Sequence, residues 1–254
     1  MTPMRAGAVA LLLTAGTGLA ISGATGSVTA ATKPAPAPAP APVAAPMSPA
    51  EACVTHAYFD LVNAPAAPGG EAYWVGRVNA GLPHANVAAT LAQTDSHYQL
   101  LVQQGFATIF QHTPDPSSVP FWTNYVKVNG YAQFTAALIG TPEFTSPYAG
   151  GYDAFVKQVY RLVLGRDADP AGEAFWVGRL SSGDPMWHVG ASIAHTPEWA
   201  QNRVIFDYIV SHVGYPDVPG RDFWAGRLMS GMPEWQMLAA LVGSPAYQAW
   251  AQAH

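Results

Sequence analysis

The sequence predicts an all-α protein of tandem three-helix repeats, four copies of about 48–54 residues, behind a disordered N-terminal leader. Three observations carry this. An aromatic-Trp dipeptide occurs at Tyr73-Trp74, Phe121-Trp122, Phe175-Trp176 and Phe223-Trp224, with the Trp residues 48, 54 and 48 positions apart. Other residues recur at fixed distances from each Trp. No segment shows the apolar/polar alternation between hairpin turns that marks a strand.

The leader comes first. Residues 1–30 fit a secretory signal peptide, with Arg5 as the basic start, Ala6–Ala20 as the apolar region and Val28-Thr29-Ala30 as the small-residue cleavage site. An uncleaved anchor is the alternative, although the stretch is rich in Gly, Thr and Ser and weakly apolar for a span. Residues 31–47 form an Ala-Pro-rich linker. Proline at alternate positions fixes φ and removes amide donors, which favours polyproline II. At roughly 3.1 Å per residue such a run reaches about 40 Å. The expected location is secreted or associated with the cell surface.

Each repeat is then read from its offsets. Sixteen residues before the Trps stand Tyr58, Phe106, Tyr160 and Tyr208. Asp115, Asp169 and Asp217 stand seven before the last three. Gly70, Ser118, Gly172 and Gly220 stand four before, and Arg77, Tyr125, Arg179 and Arg227 three after. Gly81, Gly130, Gly183 and Gly231 follow as stops. In the third copy, Phe155, Val159, Leu162 and Val163 make a helical stripe that Gly165 ends. Asp169-Pro170 starts the next helix, since Asp accepts from free amides and Pro needs no donor there. Gly172, Phe175, Trp176 and Leu180 are expected on its buried face. A third helix follows, and Thr196-Pro197 caps the next. Ser48-Pro49-Ala50-Glu51 is a capping box ahead of the first copy. The interval at 146–151 divides the chain into repeats 1 and 2 (48–146) and repeats 3 and 4 (147–254).

Composition narrows the function. Charged residues make up 11%, below the usual share of about 25%. After the leader there remain nine basic and sixteen acidic residues, a balance of −7. With no basic run among aromatics, nucleic acid is not an expected partner, nor is a membrane once the signal peptide is cut. The single cysteine, Cys53, reads as a buried apolar residue.

The stretch Tyr160–Leu180, YRLVLGRDADPAGEAFWVGRL, resembles the bacterial family named domain of unknown function 4214, in which an aromatic, LGR, an Asp-rich turn, Gly and aromatic-Trp follow one another. VPGRDFWAGRL from Val218 and GGEAYWVGR from Gly69 are similar in part. The resemblance implies an accessory module of exported or surface-associated bacterial proteins, with no reaction attached to it.

No cofactor, metal or catalytic residue is expected. His56 and Asp60 have metal-ligand spacing but no third partner, and Asp167 to Gly172 lacks the acid a calcium loop needs at position 178, which is Gly178. Asp207, Asp217 and Asp222 are near one another and are assigned capping and surface roles. The repeat motif (Trp74, Trp122, Trp224, Tyr160, Gly165, Arg166, Asp169, Gly172, Phe175, Trp176) is structural. Candidate ligand contacts are Trp187, Trp235, Arg77, Arg179 and Arg227. The expected function is a non-catalytic interaction or structural module, with a cell-envelope protein or glycan as partner. An envelope carbohydrate-binding module and a cell-wall hydrolase are the alternatives.

Overall fold

The helix starts follow the capping chemistry of the sequence. In a computed structural model describing residues 47–254, α1 (Pro49–Val62) begins on the Ser48 capping box, with Glu51 and Ser48 each accepting from the other's amide at 2.7 and 3.3 Å. The expected signal peptide, and the linker up to Pro46, lie outside the described residues. α2 (Gly70–Asn79), α3 (His84–Leu91) and α4 (Asp95–Ile109) follow, α4 capped by Thr94. α5 (Val119–Ile139) is broken at Gly130, whose φ of 80° only glycine adopts easily. α6 (Pro142–Thr145) and a 3-10 turn, Ser146–Tyr148, lead into α7 (Tyr152–Leu164).

α8 (Pro170–Ser181) starts on Asp169, which accepts from the Gly172 amide at 2.9 Å. α9 (Met186–Ile193), α10 (Pro197–Val210), α11 (Val218–Met229), α12 (Glu234–Val242) and α13 (Pro245–Ala253) complete the chain. Asp217 caps α11 as expected, but Asp115 does not cap α5; it accepts instead from Ser117 within the preceding turn. Among the described residues there is no strand, and no helix is long and apolar enough to cross a membrane.

Two recurring offsets meet in space. A Cβ on Gly172 would stand 2.6 Å from the Tyr160 hydroxyl, and one on Gly70 would stand 3.4 Å from that of Tyr58. Gly70, Gly172 and Gly220 thus seat the tyrosine of the preceding helix. Trp74 Nε1 donates to that same Tyr58 hydroxyl at 3.1 Å.

The helices pack crosswise rather than only with their sequence neighbours. α3 lies on α12, and α9 lies on the C-terminal part of α5. These two contacts use matching positions: a Cβ on Gly243 would meet Ala85 Cβ at 2.6 Å, and one on Gly140 would meet Trp187 Cβ at 2.6 Å. α13 closes against α1, where Tyr247 donates to Asp60 at 2.6 Å. Two of the three cores therefore draw on both sides of position 146: one from Leu101 to Ala194, the other joining Cys53–Ala92 to Leu238–Ala251. A third gathers Ala200, Val204, Ala225, Met237 and Leu241.

One expectation fails on each Trp helix. Phe175 was placed on the buried face, yet it is 54% exposed, as are Tyr73 (57%), Phe121 (62%) and Phe223 (55%). Successive helical residues point about 100° apart. With Trp74, Trp122, Trp176 and Trp224 half-buried against the cores, the preceding aromatic is turned outward.

Candidate functional site

The described residues enclose a cleft of about 480 Å³. It lies between the break in α5, the start of α10 and the loop from α11 to α12. Tyr98, Tyr131, Trp199 and Trp235 provide aromatic walls, and Lys127, Gln133, His195, Arg203 and Glu234 provide the polar groups. Trp235, a candidate from the sequence, is thus a half-buried wall residue.

Most of these polar groups already serve one another. Lys127 reaches Asp95 at 2.8 Å, and Gln133 Nε2 lies 3.2 Å from His195 Nε2. Arg203, 8% exposed, is stacked between Tyr131 (4.3 Å) and Phe206 (4.8 Å). Its Nε donates to Glu234, and its Nη2 stands 3.2 Å from Asp207 Oδ1. Burial works against the Arg203 charge, but the two carboxylates outweigh it and move its pKa up.

Asp207 corrects a second expectation. It was assigned to the surface, but it is 1% exposed, and neither of its oxygens has a hydrogen-bond partner. Burial lifts its carboxyl well above the ordinary value, against the pull of Arg203. Glu234 is also pushed up by burial, yet the Arg203 charge and hydrogen bonds bring it below its ordinary value. Arg203 thus stands between two buried acids, Glu234 and Asp207, whose carboxyls burial and the Arg203 charge shift in opposite directions. It locks α10 to α12 across the cleft. Burial pushes the His97 pKa down, against the hydrogen bond from its Nδ1 to the Leu61 carbonyl at 2.7 Å. Among the described residues Glu234 is the one acid that lines the cleft.

The candidate arginines lie elsewhere, in the last turns of α2, α8 and α11. Arg179 is 5.9 Å from the Phe175 ring and Arg227 is 5.9 Å from the Phe223 ring. Arg77 occupies the same place four residues after Tyr73. Arg179 donates to Asp184 at 2.5 Å, a bond that holds the Asp184 carboxyl below its usual range. Among the described residues Arg77 and Arg227 form no ion pair.

Between each aromatic and its Arg stands a glycine, Gly76, Gly178 or Gly226. All three are exposed, helical and without any neighbour within 4 Å of a built Cβ. A glycine inside a helix costs up to about 0.5–1 kcal/mol relative to alanine, and these three stand at the start of the last turn. Among the described residues no close approach requires glycine at these three positions. On α8 the face forms an open hollow bounded by Phe175, Gly178, Arg179, Ser182 and Asp184.

The remaining sequence candidates have structural surroundings. Trp187 is 54% exposed, but its Cβ sits against Gly140. Arg166 pairs with Glu198 at 2.7 Å and lies 5.2 Å from the Tyr160 ring, and Gly165 takes the left-handed cap of α7. The calcium-like loop has its oxygens engaged: Asp167 with Arg161, Asp169 with Gly172 and Glu173 with Lys157. Asp60 is shared by Tyr247 and His212 rather than aimed with His56 at a vacant centre. Sequence reasoning missed the Arg203–Glu234–Asp207 cluster, because its partners are 31 residues apart and follow no motif. It also missed the open glycines, although their recurrence was there to be read.

Residues 135–200 match the family model of a domain of unknown function (DUF4214). No curated protein and no solved structure matches the chain. The matched region contains Tyr160–Leu180 and runs from the end of α5 into the first turn of α10. The likeness to that family is thus a likeness of residues 135–200.

Proposed function

We propose that this chain is exported and acts as a non-catalytic interaction module at the bacterial cell surface, held off that surface by its Ala-Pro segment. One observation carries the reading: an exposed aromatic, an open helical glycine and an arginine share one face on each of α2, α8 and α11. The glycines of this face have no neighbour within 4 Å of a built Cβ among the described residues, which supports contact with something outside the fold. The leader motifs supply the location, and the mutual pairing of the cleft's charges supports a structural role for the cleft.

Two measurements test this. An epitope-tagged chain expressed in a bacterial host should fractionate with the envelope or medium, and the purified full chain should retain envelope material only when folded. Retention in the cytoplasm, or equal capture by the heat-unfolded chain, would overturn the proposal. Turnover of cell-wall polymer by the purified chain would overturn its non-catalytic part.

A further inference from the structure

The three outer faces have a chemistry that selects among ligands. Tyr73, Phe175 and Phe223 each present an aromatic ring to solvent. Three residues on, Gly76, Gly178 and Gly226 leave the helix backbone bare beside the ring. Four residues on, Arg77, Arg179 and Arg227 supply planar donors. The exposed hydroxyls of Ser182 and Ser230, seven residues on from Phe175 and Phe223, donate to the Gly178 and Gly226 carbonyls.

We propose that these faces are equivalent subsites for an acidic polysaccharide, each taking one carboxylated sugar ring. This rests on the surface-module reading above and names its ligand. The apolar face of a pyranose stacks on the aromatic ring. A Cβ at the glycine would stand where the edge of that sugar settles. The guanidinium then grips the sugar carboxylate through two parallel hydrogen bonds, for which its geometry is suited.

Charge argues for an acidic ligand. Beyond the leader the chain is net negative, yet a cation stands at each of these faces, and those on α2 and α11 have no acidic partner among the described residues. Recurrence argues for a polymer. Three like sites on one unit fit a ligand that repeats, and joint engagement multiplies weak single affinities. The fourth counterpart, on α5, keeps Phe121 but has Asn124 and Tyr125 in place of Gly and Arg. It should not bind, and it serves as an internal control.

The test is calorimetric titration of the full chain with polygalacturonate, hyaluronate and alginate. Methyl-esterified polygalacturonate and polyglutamate separate the carboxylate from the sugar. At least one acidic polysaccharide should bind more tightly than both controls. The combined Tyr73→Ala, Phe175→Ala and Phe223→Ala variant should lose about tenfold or more in affinity, and Phe121→Ala should lose none. Changing Gly76, Gly178 and Gly226 to Ala should weaken binding while raising the melting temperature, which an effect through misfolding cannot do. Absence of binding to all three polymers, equal binding to polyglutamate, or full affinity in the alanine variants would overturn the inference. If envelope material is still captured in those cases, the surface-module reading stands and only its ligand is wrong. If none is captured, both fail.

Discussion

Glycine sits inside helices of this chain in two different settings. In α4 and α9 it is a packing device. A Cβ on Gly105 would stand 2.4 Å from Phe134 Cε1, and one on Gly190 would stand 2.9 Å from Ile139 Cγ2, in both cases against a fully buried residue. In α2, α8 and α11 it faces open space. The backbone cost is the same, but only the inner glycines recover it through close approach. A residue that weakens its helix and gains nothing from the fold, three times over, points to a role outside the fold.

Breaking the inner setting has the largest consequence. Phe155→Ala removes a fully buried ring from the largest core and is expected to cost about 3–5 kcal/mol, read as a lower denaturation midpoint. Gly105→Ala overpacks Phe134 and is expected to cost about 1–3 kcal/mol by the same measurement. A stable Gly105→Ala variant would show that this core yields more than the geometry implies.

Much of this contrast was legible in the sequence. Ser48, Thr94, Asp169, Thr196 and Ser244 cap helices because capping depends on a few adjacent residues, and the stripe Phe155–Val159–Val163 is buried because helical spacing dictates one face. The crosswise pairing of α3 with α12 and α5 with α9 was not legible, since it joins segments more than a hundred or about fifty residues apart through contacts no local rule encodes. The dipeptide Phe175-Trp176 misled for a different reason. Two adjacent aromatics look like one buried unit, but a helix sends them to different faces. The family resemblance at Tyr160–Leu180 held, because its residues are the caps and close approaches that the fold itself requires.

The pH response of the inner cluster sharpens the comparison further. The Asp207 carboxyl titrates at a higher pH in the folded chain than its ordinary 3.8. Its contribution to stability is therefore complete below that value and declines as pH rises toward the folded pKa. Asp207→Asn keeps a neutral group in place, so the stability of the variant relative to the parent should increase with pH above 3.8. Urea denaturation at several pH values reads this, and a difference that does not change with pH contradicts the upward shift of the Asp207 carboxyl. At the outer faces the stability effects are smallest. Phe175→Ala, at 54% exposure, should change unfolding free energy by about 0.5 kcal/mol or less.

The most direct measurement follows stability and binding together in the chain with Gly76, Gly178 and Gly226 all changed to Ala. Each methyl group enters open space within this chain, and each should stabilise its helix by about 0.5–1 kcal/mol. The account predicts a higher melting temperature with weaker capture of acidic polysaccharide. A higher melting temperature with unchanged capture would contradict it, since the glycines would then cost the fold stability without serving any ligand.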